Sequence, residues 1–339
     1  CKAHSASYSV ESYQSLYLKT YYPLEFIVGV INNFGGFYRT EVYVHEARMS
    51  GGTVHAPCVN TSRHETILRG KDIYLGFQHL HNFDARLSDR IVDSRLQFGP
   101  FESTEEFINR SGIGYDLMKT LIYVGALRFT DMTKAELIVK SKLLLVKNKT
   151  SQPMSRLFDT PTTSFKLPSL QRTALEDAFD EIELLGFSVS LSAFNLLEVP
   201  FPTQNTVDEF WPNEGKIVQI VGFLISIKSV PTAKGHMNFG TWVDVEGNYY
   251  DSAHFPKQLL QHPFQGPGCY VLTGKVVIDF HFPTLEVTHM QHLKMKSDPR
   301  YDEREFRAAL PKTQELAGTP LPRKPYPSQT ETAALFKAG

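Results

Sequence analysis

Residues 215–255 read GKIVQIVGFLISIKSVPTAKGHMNFGTWVDVEGNYYDSAHF, and in this stretch the hydrophobic period changes from that of helices to that of strands. A long first strand is predicted at 215–230, and apolar and polar side chains alternate over 225–228. Successive side chains of a strand point to opposite faces, so this period of two indicates strands with one buried face. Turns at 233–236 and 246–248 lead into a second and a third strand.

Two more strands and a short helix are predicted after the third strand, which runs over 249–255. The helix is predicted at 256–262, and the strands at 269–280 and 284–290. Five strands interrupted by one helix within about 80 residues is the pattern that a five-stranded OB barrel requires. We therefore predict an all-β barrel in this part of the chain.

Upstream of the barrel, hydrophobic residues recur with the period of helices. Helices are predicted at 8–19, 24–30 and 37–49, and a strand hairpin is predicted at 66–75. Short helices joined by glycine-containing turns are predicted over 87–146, a pattern typical of modules that grip a nucleic-acid backbone. The predicted fold class is thus multidomain, with an all-α region followed by the all-β five-stranded barrel.

The charge of the chain is nearly balanced, with 35 Lys and Arg against 36 Asp and Glu. The balance conceals a basic segment at 140–173 and an acidic segment at 174–209. Three widely separated cysteines without CxxC spacing argue against a disulfide framework and a zinc site, and favour a reducing cytoplasm. No signal peptide is visible, and the longest apolar stretches are too short to cross a bilayer.

Several stretches match one family in the order in which they occur along the chain. They are KAHSASY at 2–8, SYQSLYLK at 12–19, PCVN at 57–60, YLGF at 74–77, LIYVGAL at 121–127 and ELLGFSVS at 183–190. Ordered matches across several domains are more specific than any single motif. On this basis the chain resembles the alpha subunit of bacterial DNA polymerase III, the C-family replicative DNA polymerase.

The resemblance implies the end of the fingers at 1–60, a tandem helix-hairpin-helix region at 61–147, a clamp-binding linker with an amphipathic helix at 148–209 and the OB domain at 210–298. The charged, proline-containing composition after Pro299 predicts a largely disordered tail at 299–339, with a short helix at 302–309. The family's palm, which holds Mg²⁺ with three aspartates, would lie upstream of Cys1, and the start without Met suggests a piece of a longer chain.

We therefore expect no catalytic residue, metal or cofactor in this segment, no 3′–5′ exonuclease activity, and no polymerase activity of the segment alone. The expected partners are primer–template duplex, single-stranded template, the sliding clamp and other replisome subunits, with no membrane. Two other functions remain open: a free-standing DNA-binding adaptor without catalysis, and an OB-containing RNA-binding protein. A nucleotide-facing helix at the start of the chain favours the polymerase segment, because an adaptor has no need of one.

Lys2, His4 and Ser5 are the predicted nucleotide-binding residues, because cationic and hydroxyl groups near a helix start can hold a triphosphate. The alternative is that they cap and position a helix that starts near Tyr8.

Gly112, Gly114 and Lys119 are predicted to bind DNA in the second helical hairpin, since glycines let backbone amides approach a phosphate. The first hairpin carries His81-Asn82-Phe83-Asp84 instead of glycines, and a purely structural role is favoured there.

A clamp-binding peptide is predicted at Met154, Ser155, Arg156, Leu157 and Phe158, where the resemblance implies one. Its Leu-Phe pair could fill two pockets of a preformed groove. The family's pattern begins with Gln, whereas Met154 stands in that place here. The alternative is a linker hydrophobe that packs on its own domain.

In the barrel, strand alternation predicts that Phe239 and Val243 face inward and that Trp242 faces outward. An outward Trp242 beside Lys228 and Lys234 would form a base-stacking platform with phosphate contacts for single-stranded DNA. The alternative is that a neighbouring element covers Trp242.

Other polar residues have simpler interpretations. The pairs His79-x-His81 and His289-x-x-His292 have no acids or cysteines at metal spacing. Asp244, Glu246 and Asp251 are interpreted as solvated hairpin residues.

Overall fold

The computed structural model describes residues 2–150, 172–199, 205–279 and 282–301. Its α-helices are α1 (Lys2–Tyr21), α2 (Pro23–Asn32), α3 (Thr40–Met49), α4 (Ala85–Phe98), α5 (Thr104–Ser111), α6 (Tyr115–Tyr123), α7 (Lys134–Thr150), α8 (Ala174–Leu185) and α9 (Pro256–Gln261). Its strands are β1 (Thr53–His55), β2 (Ile67–Arg69), β3 (Asp72–Tyr74), β4 (Ile217–Thr232), β5 (Gly235–Val243), β6 (Tyr249–His254), β7 (Cys269–Asp279) and β8 (Phe282–His292).

The first seven helices and the three short strands form a helical body around one hydrophobic core. This core runs from Leu24 in α2 to Leu137 in α7 and takes in Leu185 and Phe187 at the end of α8. The strands form a small sheet in the order β1-β3-β2, with β2 and β3 as a hairpin. Helices α2 and α3 therefore share a core with the hairpins that follow them, although α1 buries none of its side chains.

The last five strands close into a barrel in the order β4-β5-β6-β8-β7. All neighbouring pairs are antiparallel except β6 and β8, which run parallel with Asp251 opposite Thr284. Helix α9 lies between β6 and β7 in the chain. Five strands with one helix before the fourth, closed in this order, make an OB barrel, and the predicted all-α region followed by an all-β OB barrel is confirmed.

The prediction for Trp242 is wrong, because this side chain is fully buried inside the barrel. Its indole Nε1 donates a hydrogen bond to Ser252 Oγ (2.6 Å), and its ring stacks on Tyr250 and on Phe264. Phe239, on the opposite face of β5, is 39% exposed. The sequence pattern assigned the inner and outer faces of β5 the wrong way round. The reason is that Val243, on the same outer face as Phe239, is also buried, where α3 packs against the end of the strand.

Asp244 is another correction, since its side chain is fully buried and not solvated. One carboxylate oxygen accepts hydrogen bonds from the backbone amides of Glu246 (3.0 Å) and Asn248 (2.8 Å). The other accepts from the amide of Val207 (2.9 Å), in the turn that leads into the barrel. Asp244 therefore shapes the β5–β6 turn and fastens the entering chain to it, since a buried carboxylate needs such donors.

Two acidic residues of α8 are buried in the helical body. Asp180, 1% exposed, accepts a hydrogen bond from Lys134 Nζ (2.8 Å) and one from Arg172. Glu181 accepts from the backbone amides of Val189 and Ser190, both at 2.8 Å. The carboxylates thus hold both ends of the 172–190 segment in place, and replacing either one leaves buried donors without partners.

The chain divides into two compact units, Cys1–Asp298 and Pro299–Gly339. The finer boundaries predicted from the sequence within the first unit remain a prediction. The predicted clamp-binding peptide, Met154–Phe158, and the predicted helix at 302–309 lie outside the described residues. A search of the described helices finds none with the length and apolar character that crossing a membrane requires.

Two histidines are buried in the two cores, and burial lowers the pKa of each to about 4. His79 lies in the helical body with its Nε2 2.9 Å from Thr66 Oγ1, and the neighbouring His64 lowers its pKa further. His254 lies in the barrel with its Nε2 2.7 Å from Ser252 Oγ. Both imidazoles are therefore neutral in the folded protein at neutral pH.

We predict that the free energy of unfolding falls as the pH is lowered from about 6.5 to about 4, because the unfolded chain binds protons there and the folded chain does not. Each histidine contributes at most about 3 kcal/mol to this loss. Urea unfolding at pH 7.5 and 4.5 measures it. We expect His254→Gln to flatten the pH dependence of the free energy of unfolding, and the exposed His236→Gln to leave it unchanged. An equal slope in both variants would contradict the prediction.

Candidate nucleic-acid interface

The second hairpin joins α5 to α6 through Gly112, Ile113 and Gly114. Ser103 starts α5 by accepting a hydrogen bond from the amide of Glu106 (3.1 Å), and α5 ends at Gly112, which has φ +61° in the left-handed region. Ile113 is buried in the core of the body. Gly114 then starts α6 without a capping side chain, and the space that a Cβ on Gly114 would occupy is open.

The consequence is a helix start that no side chain caps, with Asp116 in its first turn. Amides in the first turn of a helix have no acceptor within that helix, and α6 provides no side chain at Gly114 to take that place. Such amides, together with the helix dipole, favour an anion. The structure places Gly112 and Gly114 in the turn between α5 and α6, and their binding of DNA stays a prediction.

The first hairpin repeats this backbone with different side chains. Asn82 has φ +58°, where Gly112 has +61°. Phe83 is buried like Ile113, and Asp84 starts α4 in the same extended conformation as Gly114. Asparagine is among the few residues that tolerate the left-handed region, so the turn survives without glycine.

The difference between the hairpins lies at the helix start. Asp84 Oδ1 accepts a hydrogen bond from the amide of Arg86 at 3.0 Å. The carboxylate thus occupies one of the donors that a phosphate would need, and its charge repels a second anion. These contacts favour the structural role that the sequence predicts for His81–Asp84.

Two cationic side chains lie beside the second hairpin. Lys119 is on α6, with its Nζ 5.9 Å from the centre of the Tyr123 ring. Arg90 is exposed on α4, and its guanidinium lies 3.6 Å from where a Cβ of Gly112 would be. The sequence did not single out Arg90, because its position depends on how α4 packs against the hairpin. The sequence feature that could have indicated Arg90 is its place in a run of exposed charged residues on α4.

On the barrel, the outer face of β4 and β5 carries a cation beside an aromatic ring. Lys228 lies directly opposite Phe239 in the β4–β5 register, and both are exposed. Lys234 is exposed at the tip of the same hairpin. Phe239, and not Trp242, is therefore the outward ring beside Lys228.

Lys2, His4 and Ser5 lie within α1, which begins at Lys2 and not near Tyr8. All three are exposed, and the His4 ring packs edge-on against Tyr8 at 4.5 Å. The capping alternative is therefore wrong, because no helix starts at Tyr8. Within the described ranges, no three His, Cys, Asp or Glu side chains are grouped closely enough to hold a metal ion.

The comparisons with known proteins agree on one family. Residues 51–137 match the family model described as a helix-hairpin-helix motif. The DNA polymerase III subunit alpha of Staphylococcus epidermidis is 30% identical over 285 residues, covering 81% of this chain and 26% of that protein. The same subunit of Borreliella burgdorferi is 27% identical over 267 residues, 73% of this chain and 23% of that protein. An error-prone DNA polymerase of Teredinibacter turnerae is 25% identical over 259 residues, 73% of this chain and 24% of that protein.

Solved structures similar to the chain include a small single-stranded DNA-binding protein from Streptomyces coelicolor and the second OB-fold domain of replication protein A from Methanococcus maripaludis. Each has a TM-score of 0.20 and 10% identity, and they cover 23% and 25% of this chain and 93% and 90% of their own. Similarity at that score is too low to support a function. The chain spans about a quarter of the length of the curated polymerases that it matches. By its sequence matches and its order of domains, this chain belongs to the bacterial DNA polymerase III alpha family and resembles a C-terminal segment of that subunit.

Proposed function

We propose that this chain is the DNA-handling part of a DNA-directed DNA polymerase, a nucleotidyltransferase that works in the bacterial cytoplasm. In this proposal the helical body holds primer–template duplex through the second hairpin, and the barrel holds single-stranded template on its Phe239 face. Lys2, His4 and Ser5 face the incoming nucleotide. The Mg²⁺-dependent chemistry belongs to a palm outside these 339 residues.

The observation that carries the proposal is the uncapped start of α6. Duplex-binding modules use backbone amides and cationic side chains to hold phosphates, without reading the bases. The second hairpin offers both, with the amides after Gly114, Arg90 from α4 and Lys119 from α6. The polymerase names of the relatives agree with this use of the hairpin.

The sharpest test of the duplex site gives α6 the same capping residue that α4 has. Gly114→Asp adds a capping carboxylate at a position with ordinary backbone angles and open space, so we expect the fold to be kept. Duplex affinity should fall by about tenfold or more, because the new carboxylate takes a phosphate's donor and repels its charge. Fluorescence anisotropy with a short duplex measures this.

The cationic side chains provide the companion measurement. Arg90→Ala and Lys119→Ala should each lower the dependence of log affinity on log salt by about one. Lys275→Ala, which removes an exposed cation from β7 where that strand pairs with the start of β4 at Ile217, is the matched control. Equal duplex binding by Gly114→Asp and the unaltered chain would remove the basis of the proposal.

The barrel face is tested with a single-stranded oligonucleotide. We expect Phe239→Ala to weaken binding by about five- to tenfold, because a base loses its stacking partner. Lys228→Ala should weaken binding and reduce its salt dependence. Lys275→Ala again removes a positive charge, here opposite Ile217 at the other end of β4 from Lys228. If all three variants bind the oligonucleotide equally, the outer face of β5 does not hold single-stranded DNA.

We also propose that Met154–Phe158 binds the sliding clamp, on the strength of its apolar Leu-Phe pair within a polar stretch. Leu157→Ala combined with Phe158→Ala should abolish clamp binding in isothermal titration calorimetry, because both groove anchors are lost. The double variant Thr162→Ala, Thr163→Ala, in the same stretch, should bind normally. Retained affinity in the Leu-Phe variant would show that the clamp contact lies elsewhere.

A further inference from the structure

The helical body and the barrel meet where α3 contacts the turn between β5 and β6. His45 Nε2 lies 2.8 Å from the carbonyl oxygen of Gly247, and the His45 ring packs edge-on against Tyr249 with 5.5 Å between ring centres. Met49, one helical turn further on, closes over the same glycine. We call His45, Met49 and Gly247 the joint.

Gly247 fits this position for two reasons. Its φ of +96° is one that L side chains rarely adopt. A Cβ there would also lie 2.8 Å from Met49 Sδ and 2.9 Å from His45 Cε1, closer than packed atoms come. The glycine thus lets the backbone of the barrel lie directly on α3.

Both sides of the joint are rigid. On the barrel side, the buried Asp244 carboxylate fixes the turn through the amides of Glu246 and Asn248. On the other side, Val44 and Ala47 bury α3 in the same hydrophobic core as Ile113 of the second hairpin. Rigid elements packed in one core move together. The joint is therefore connected to the second hairpin through the hydrophobic core that they share, and to Phe239 through β5.

Behind the joint the two parts are not fully packed together. A cavity of about 280 Å³ lies between α3, residues 187–194 and the barrel strands, and Val42, Phe194 and Phe223 are among its lining residues. This pocket is half open to solvent, and beside it the close approach of α3 to the barrel is made at the joint.

We propose that His45, Met49 and Gly247 are positioning residues that hold the second hairpin and the outer face of β5 at one fixed separation and angle. A DNA with a duplex part and a single-stranded part then engages both surfaces at once. This inference rests on the proposed function, since it needs both surfaces to bind DNA. Two linked sites bind a two-part ligand more tightly than either site binds its own part, provided that the geometry permits both contacts together.

The test compares three DNA probes on the full chain: a duplex, a single-stranded oligonucleotide, and a junction that joins the two. We expect the unaltered chain to bind the junction more tightly than either part. In His45→Ala and in Gly247→Ala, junction affinity should fall by about tenfold or more, towards that of the better single part, because the loosened joint lowers the effective concentration of the second site. Affinity for each separate part should not change.

The matched control is Gly266→Ala. It also places an alanine at a positive φ, here +103°, but the added Cβ lies in open space. It should keep the junction preference. An unchanged junction preference in both joint variants would overturn the inference, as would an unaltered chain that binds the junction no better than its parts. A joint variant that loses affinity for one separate part would also overturn it, because its residue would then belong to that site. If the unaltered chain binds neither part, the proposed function itself fails.

Discussion

Backbone amides at turns need acceptors, and this requirement organises both halves of the molecule. Buried amides without partners cost free energy comparable to a lost hydrogen bond. Carboxylates meet the need at several places, among them Asp84 at the start of α4, Glu181 at the turn over 188–190, and Asp244 at the β5–β6 turn. At Gly114 no side chain does so. In the proposed function, a phosphate oxygen takes this place.

The same requirement explains how the barrel is attached to the body. Asp244 ties the entering chain and the β5–β6 turn together, and Glu181 holds the 188–190 turn, whose Val189 carbonyl accepts a hydrogen bond from Arg48 of α3 at 2.6 Å. Helix α3 thus receives contacts from two turns, each made stiff by a buried carboxylate. A surface formed in this way moves as a unit, unlike one carried on a mobile loop.

The periodicity of the sequence was sufficient for the barrel and for the order of its strands and helix along the chain, because alternation survives wherever a sheet has one covered face. It misplaced Trp242 for a tertiary reason: α3 buries Val243 on the outer face of β5, so both faces of that strand end are apolar. The turn at 112–114 could be predicted from the sequence because glycine marks a left-handed residue. The position of Arg90 beside Gly112 could not be predicted, because it depends on how the helices pack. The burial of Asp180 was equally hidden, because its cationic partners lie 46 and 8 residues away.

The close match between the backbones of the two hairpins has a consequence for how one could change into the other in evolution. They share a left-handed residue, a buried hydrophobe and an extended residue before a helix, and they differ chiefly in whether that last residue is aspartate or glycine. Aspartate and glycine codons are separated by a single base change at their second position. An ancestor with two open turns could therefore close one without rebuilding its scaffold, and a descendant could open it again in one step. Such a change alters the acceptor at the helix start, while the turn itself keeps its backbone.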